Sequence, residues 1–425
     1  MTAPIGPDEF AALMAPLGPF EPAPRLAAAV SGGADSLALA LLTNAWVRSR
    51  GGCLIALVVD HALRPESAAE AALTIERLAA HGIPARLIRL TGLPHGTALA
   101  ERARAARYAA LRDACTGGKV LHLLLGHHAA DQAETVLMRR QSGSGPAGLA
   151  AMSPISEQIG LRLLRPLLGI PPVRLRATLR AAGIGWVEDP SNRDQRALRA
   201  RLRAMLDDPD GTGPAVAALG DAARAAGAAR AQQEAATAAV LAERAAFYPE
   251  GFALLSPGPI DPAALAALLQ AIAGAAYPPP ASAVALLAAA PRPATLGGVR
   301  LLPAGRLGPG LLLAREAAAL APPVAARPGA VWDGRFRVQA GATPPDDATI
   351  GALGADAARL RRAPLPAAVL QTLPAVRRGN SLVAVPHLFY PDRAACAAVP
   401  LAFSPRRPAA GAPFLPVPEP GGNVC

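Results

Sequence analysis

Between Leu26 and Gln141 short apolar runs alternate with longer helical stretches. Runs at 26–30, 54–59, 85–90 and 119–125 are followed in turn by helical stretches near 35–47, 66–81, 97–115 and 129–141. The runs are continuous rather than alternating in polarity, which predicts strands covered on both faces, a parallel sheet with helices on either side. In such a sheet ligands gather beyond the carboxyl ends of the strands. Three polar clusters fall there: Ser31–Ser36, Asp60-His61 and Gly126-His127-His128, the last leading into Asp131, Gln132, Glu134 and Thr135.

Beyond Gly143-Ser144-Gly145-Pro146 the pattern loosens and turns basic. Arg162, Arg165, Arg174, Arg176 and Arg180 precede Trp186-Val-Glu-Asp-Pro190, and Arg193, Arg196, Arg199, Arg201 and Arg203 follow it. An alanine-rich stretch from Ala215 to Phe247 predicts one long helix and Pro262 to Ala275 a second, with a break at Pro278–Pro280. Leu296–Leu302 and Leu311–Arg315 predict a β-hairpin. Short β-like pieces follow at Val331–Val338 and Ser381–Val385, and the tail after Pro405 is expected to be mobile. The expected organisation is an extension over 1–21, a catalytic domain over 22–210, a mostly helical domain over 211–325 ending in the hairpin, and a Pro/Gly-rich region over 326–425.

The first polar cluster carries the strongest chemistry. Ser31-Gly32-Gly33-Ala34-Asp35-Ser36 lies between an apolar run and a helix start, where glycines let backbone N–H groups close on an anion and the helix terminus adds positive charge. The Gly-Lys-Ser/Thr ending of the ordinary NTPase loop is missing. Asp35 cannot donate to phosphate, so its carboxylate faces a metal or a cationic substrate. Asp131 and Glu134 share a helix face with His128 one turn earlier. With Asp35 and Asp60 they form a carboxylate set of the kind that holds Mg²⁺ beside phosphate, although Asp131 alone would also serve as a helix cap. His61 and His128 are candidate proton carriers or phosphate ligands. On a helix Arg196, Arg199 and Arg203 form one stripe suited to phosphate.

Composition sharpens this. The 425 residues carry 42 Lys and Arg against 31 Asp and Glu, a net charge of +11, which favours a polyanionic partner. Lys119 is the sole lysine, so lysine-based covalent catalysis has almost no candidate. Cys53, Cys115, Cys396 and Cys425 are scattered, which argues against a zinc ribbon, an iron–sulfur site or a disulfide framework and fits a reducing cytoplasm. The first residues lack a signal-peptide pattern, and Ala263–Tyr277 is too short to span a bilayer. A soluble cytoplasmic protein with no membrane partner is expected.

The Ser31–Ser36 loop resembles the PP-loop of the ATP pyrophosphatases, and further strings narrow the resemblance to the tRNA(Ile)-lysidine synthetase family. They are Val59-Asp60-His61-Ala62-Leu63-Arg64, Ala103-Arg104-Ala-Ala-Arg107-Tyr108, Gly126-His127-His128-Ala-Ala-Asp131-Gln132-Ala-Glu134-Thr135, Gly143–Leu149, Leu164-Arg165-Pro166-Leu-Leu168 and Trp186–Asn192, in family order. The resemblance is strong over about 22–206 and fades beyond Glu316. It implies an α/β fold, a parallel-sheet PP-loop domain of the adenine nucleotide alpha hydrolase type followed by a helical domain and a small mixed C-terminal region. It implies a ligase that uses ATP and Mg²⁺ to adenylate the wobble cytidine of the CAU anticodon of isoleucine tRNA, then joins free L-lysine to it, so that the anticodon reads AUA instead of AUG. A homodimer is compatible with it. On this resemblance Asp35, His128, Asp131 and Glu134 are catalytic. Ser31, Gly32, Gly33, Ala34, Asp35, Ser36, Asp60 and His61 bind ATP, and Asp35 and Asp131 bind metal. Arg104, Arg107, Arg165, Arg196, Arg199, Arg201 and Arg203 bind tRNA. Two positions depart from the family pattern, Ala130 where Asp is usual and Ala200 where Asn is usual. A tRNA-thiolating relative would carry paired cysteines and an amidotransferase a glutaminase domain, neither of which is found. A non-catalytic tRNA-binding homologue is the reading those two alanines would support.

Overall fold

The computed structural model describes residues 2–62, 66–90, 99–187, 198–360 and 364–418. They fold into two compact units, one ending at Gln232 but regaining the chain from Phe414, the other spanning Gln233–Pro413.

The first unit runs α1 (Pro7–Met14), β1 (Arg25–Val30), α2 (Ala34–Arg48), β2 (Cys53–Asp60), α3 (Ser67–Ala80), β3 (Ala85–Arg89), α4 (Leu99–Gly117), β4 (His122–Leu124), α5 (Ala129–Gln141), α6 (Pro146–Leu149), β5 (Ile155–Gln158), β6 (Leu161–Leu164), α7 (Pro172–Ala181), α8 (Leu198–Leu206) and the start of α9 (Pro214–Arg244). The strands make one sheet in the order β3-β2-β1-β4-β6-β5, parallel throughout except for β5. The expected parallel sheet is therefore present, closed by one antiparallel edge strand.

Strand β1 explains how both faces are covered. Leu26, Ala28 and Val30 point into one core with Leu37, Leu39 and Trp46 of α2, while Ala27 points into the other with Leu111 and Cys115 of α4. Period-two alternation sends neighbours to opposite faces, and the alanines let helices approach closely on each side. The stretch 1–21, expected as an extension, supplies part of the first core: Phe10, Met14 and Leu17 are essentially fully buried, and Glu9 pairs with Arg174 of α7 at 2.5 Å. Their spacing of four and three residues was the helical signal for that burial.

The expected boundary after 210 also moves. The unit continues to Gln232 because Val216, Leu219 and Ala223 of α9 pack on Ala133 and Val136 of α5. The tail expected to be mobile contains Phe414, 8% exposed, and Leu415, which packs against the same core as α2. Burying a phenylalanine is worth about 1.5–3 kcal/mol, enough to hold a short segment in place.

In the second unit α9 stops at Arg244, short of the expected Phe247. Residues Ala245–Tyr248 instead form β7, paired with β8 (Phe252–Leu255), and the Tyr248 and Phe252 rings stack 4.3 Å apart. Aromatic residues before the Pro249-Glu250-Gly251 turn favour pleated structure over helix. Helices α10 (Pro262–Ala273) and α11 (Ala281–Ala289) cover a five-stranded sheet completed by β9 (Ala294–Leu296), β10 (Val299–Pro303) and β11 (Leu311–Arg315). The expected hairpin of β10 and β11 is present, but Gly297-Gly298, both at positive φ, break the expected strand 296–302 into two.

Residues beyond 320 add β12 (Val324–Ala325), β13 (Val331–Trp332), β14 (Phe336–Val338), β15 (Ala348–Ala352), α12 (Ala367–Leu370), β16 (Pro374–Arg378), β17 (Ser381–Ala384), α13 (Arg393–Ala398) and β18 (Leu401–Phe403) in two small sheets. Asp333, buried, accepts from Arg315 Nε at 3.0 Å and from the fully buried Arg335 Nε at 2.8 Å. Burial lowers the Arg335 guanidinium to about 10, against the pull of Asp333. Among the described residues no helix is long and apolar enough to cross a membrane.

Candidate active site

The three polar clusters meet at the carboxyl edge of the sheet. After β1 the chain turns through Gly32, whose φ of +88° suits glycine and whose missing Cβ would lie 2.4 Å from Thr74 Oγ1. The Gly32 carbonyl accepts from the Val187 N–H at 2.9 Å, which ties the 186–187 segment to the loop. The Ser31 N–H donates to Ser36 Oγ at 3.1 Å, and Ser36 Oγ lies 3.1 Å from the Gly33 carbonyl, to which it donates. These bonds fold Ser31–Ser36 around the start of α2, where unsatisfied N–H groups favour an anion. Ala34 and Asp35 open that helix, and the Asp35 side chain is 36% exposed.

From the end of β4, Gly126 approaches the Asp35–Ser36 backbone and delivers His127 and His128 to the same edge. His128 caps α5, and its N–H donates to Asp131 Oδ2 at 3.1 Å. Its Nε2 lies 3.5 Å from Asp35 Oδ2 and 3.6 Å from Asp131 Oδ2. Asp131 thus serves both as helix cap and as a site carboxylate. One turn on, Glu134 is 1% exposed; Oε1 accepts from Arg203 Nε, while buried Oε2 has no hydrogen-bond partner among the described residues. Arg203 Nη2 also reaches Asp131 Oδ1 at 3.4 Å.

Electrostatics separates these groups. Burial lowers the His128 pKa, but Asp131 and Asp35 more than offset it, so the imidazole is raised above its ordinary value. Burial pushes the Asp131 carboxyl up, while His128, His127 and Arg203 hold it below its usual range. Burial raises Glu134, and Arg203 offsets that only in part. His127 falls to about 4: burial disfavours its charge, Asp131 opposes this, and Arg165, Arg104 and Arg199 reinforce it.

The arginines expected to contact tRNA divide in two. Arg203 lies against Asp131 and Glu134, so the Arg199–Arg203 stripe turns inward toward α5. Arg104, Arg107, Arg165 and Arg199 feel one another's charge around Tyr108 and His127. The Arg104 and Arg107 guanidiniums lie 5.2 and 5.6 Å from the Tyr108 ring centroid. Arg165 is buried, donating to the Ser153 carbonyl at 2.9 Å and to Ser156 Oγ at 3.0 Å, which makes it a floor of this basic pocket. Arg201 is exposed, and Arg196 lies outside the described residues.

Asp60, at the end of β2, is 4% exposed and accepts from the Ala62 N–H at 2.9 Å and the Ser67 hydroxyl at 2.7 Å. Burial opposes its charge, yet those bonds and Arg89 hold its pKa low. Its Oδ1 is therefore occupied in shaping the turn that carries His61. No group of three or more His, Cys, Asp or Glu is gathered as a metal cluster among the described residues. Asp131 has both oxygens engaged, Oδ2 by the His128 N–H and Oδ1 by Arg203, whereas Asp35 is the more exposed of the two carboxylates. Gln132, to which the sequence pattern assigned no role, is buried at 3%. Its carboxamide donates to the Met152 carbonyl and accepts from the Met152 N–H, both at 2.9 Å. A buried amide next to two carboxylates was the available signal.

A family model described as a PP-loop domain matches residues 7–208. The tRNA(Ile)-lysidine synthase of Ruegeria pomeroyi is 38% identical over 388 residues, 86% of this chain and 89% of that protein. Those of Bradyrhizobium sp. BTAi1 and Bradyrhizobium diazoefficiens are 48% identical over 191 residues and 45% over 225, covering 44% and 52% of this chain. The matched stretch spans 53% and 59% of those two proteins' own length.

Proposed function

Because this chain belongs to the tRNA(Ile)-lysidine synthase family, we propose that it joins free L-lysine to the wobble cytidine of an isoleucine tRNA with a CAU anticodon, forming a carbon–nitrogen bond and releasing AMP and pyrophosphate. The observation that carries this reading is the junction of a phosphate-type loop with an acidic pocket across the Gly126–Asp35 contact.

In this reading the N–H groups after Ser31, through Gly32–Ser36 at the start of α2, hold the ATP phosphates. Mg²⁺, held by Asp35, would neutralise phosphate charge as the α–β bond breaks. His128, whose pKa is raised by Asp131 and Asp35, faces the same phosphates, and the cytosine oxygen becomes the adenylated leaving group. Lysine's ammonium enters the acidic pocket, where Glu134 Oε2, unpartnered among the described residues, accepts from it. Glu134, raised by burial, is the better proton acceptor, and Asp131, held low, stays a fixed negative charge. The freed ε-amine attacks the activated carbon and AMP departs. Arg104, Arg107 and Arg199 hold tRNA phosphate, and the Tyr108 ring offers a stacking face. The nucleophile comes from the substrate, which fits a chain whose buried Cys115 thiol is pushed up to about 11.

The test is incorporation of labelled lysine into unmodified isoleucine tRNA with a CAU anticodon, given ATP and Mg²⁺, with methionine tRNA as control. Stable label on the isoleucine tRNA alone, with matching AMP release, is the expected result. Tight tRNA binding with neither label nor pyrophosphate would identify a non-catalytic homologue and sink the proposal.

A further inference from the structure

Behind the catalytic helix lies a cavity of about 320 Å³, lined by Ala129 and Gln132 of α5, Val216 and Gly220 of α9, Gly169 and, from the far end of the chain, Val417. The first turn of α5, at Ala129 and Gln132, borders this space, while Ala133 and Val136 further along pack on α9. The chain returns there after Pro413. Phe414 is buried beneath Arg230 of α9, whose guanidinium lies 4.6 Å from the ring centroid. A Cβ on Gly227 would lie 3.0 Å from the Phe414 ring and 3.2 Å from Pro416, and one on Gly169 would lie 3.2 Å from Val417. Glycine weakens the interior of a helix, and at 227 it makes space for this segment. Leu415 adds a polar contact: its carbonyl accepts from Ser153 Oγ at 3.2 Å.

Ser153 is a branch point. Its carbonyl accepts from Arg165 at 2.9 Å, and its neighbour Met152 is held on both sides by the Gln132 carboxamide of α5. We propose that residues 414–417 are a positioning strap for the active site: seated on α9 and Gly169, they fix loop 151–153, which in turn fixes Arg165 and α5. The strap touches no reacting atom and acts by limiting where Asp131 and Glu134 stand. Its catalytic consequence rests on the function proposed above, whereas its mechanical part does not.

The experiment uses the full chain with Phe414→Gly, Phe414→Tyr or Ser153→Ala, reading amide hydrogen exchange over 128–153 without substrates and then kcat and KM for lysine transfer. Phe414→Gly and Ser153→Ala are expected to speed exchange at the Met152 amide and through the first turn of α5. Misplacement of about an ångström predicts a fall in kcat of about tenfold or more, with KM for ATP within about twofold. Phe414→Tyr should restore both readouts. If Phe414→Gly does not fold, Ser153→Ala, which removes one hydroxyl, carries the test. Unchanged exchange over 128–153 in folded variants overturns the proposal, as does faster exchange with unchanged kcat. Should the parent protein transfer no lysine, the function proposal fails, and exchange alone decides whether the strap holds α5.

Discussion

His127 and His128 are adjacent and of one kind, yet their surroundings drive them in opposite directions. Burial disfavours the charge of both: at His128 Asp131 and Asp35 outweigh it and the imidazole is raised, while at His127 Asp131 does not, Arg165, Arg104 and Arg199 add to it, and the imidazole falls to about 4. Extended backbone at the helix cap turns consecutive side chains apart, so one peptide unit divides the sheet edge into an acidic and a basic pocket. Burial and the charges each imidazole faces together set the direction of its shift. A cationic amine suits one pocket and phosphodiester the other, as a reaction joining lysine to tRNA requires.

The division can be broken most severely at its acidic end. Asp35→Ala is expected to cut pyrophosphate release by about a thousandfold, since it removes a partner of His128 and, on the proposed function, the group that would hold Mg²⁺. An Asp35→Ala enzyme with full activity would place the chemistry elsewhere. Glu134→Gln should leave pyrophosphate release measurable while lowering lysine transfer by about a hundredfold, because an amide cannot take the ammonium proton. Equal losses in both steps would mean that Glu134 acts before lysine does.

At the basic end the expected effects are smaller. Arg104→Ala with Arg199→Ala should weaken tRNA binding by about tenfold at moderate salt and reduce the slope of log affinity against log salt by about 2. An unchanged slope would show that neither arginine meets phosphate. The smallest effect is on stability. A raised His128 stabilises the fold fully below its unfolded value near 6.5, and that contribution is lost as pH rises through its folded value. His127 behaves oppositely, its contribution being present above 6.5 and lost as pH falls toward about 4. Melting temperatures against pH should therefore flatten above 6.5 in His128→Asn and between 6.5 and 4 in His127→Asn. Curves parallel to the parent's would deny the asymmetry.

The sheet edge was legible from sequence because it depends on local signals. Ser31–Ser36, His128, Asp131 and Glu134 each sit beside the turn or helix start that positions them, and the strand and helix limits between 25 and 141 shift by only a few residues. What escaped depends on distant partners. No pattern near Arg203 says that it meets Glu134, 69 residues earlier, rather than solvent. Nothing beside Arg165, expected to contact tRNA, signals its burial, because its acceptors, Ser153 and Ser156, become its neighbours only after β5 pairs with β6. Phe414 sits in a Pro-rich stretch whose local composition reads as tail, while its seat is built from α9. Strand β7 was absorbed into a helix because Ala245 and Ala246 extend the alanine pattern, and only pairing with β8 outweighs it.

The contact at Gly126 acts as a gauge for the width of the reaction chamber. A methyl group there would stand 3.1 Å from the Asp35 carbonyl carbon and oxygen and from the Ser36 Cα, so the phosphate loop and α5 would have to part by a few tenths of an ångström. On the proposed function, the half that would activate with ATP and the half that would deliver an amine are thus spaced by the absence of a single carbon.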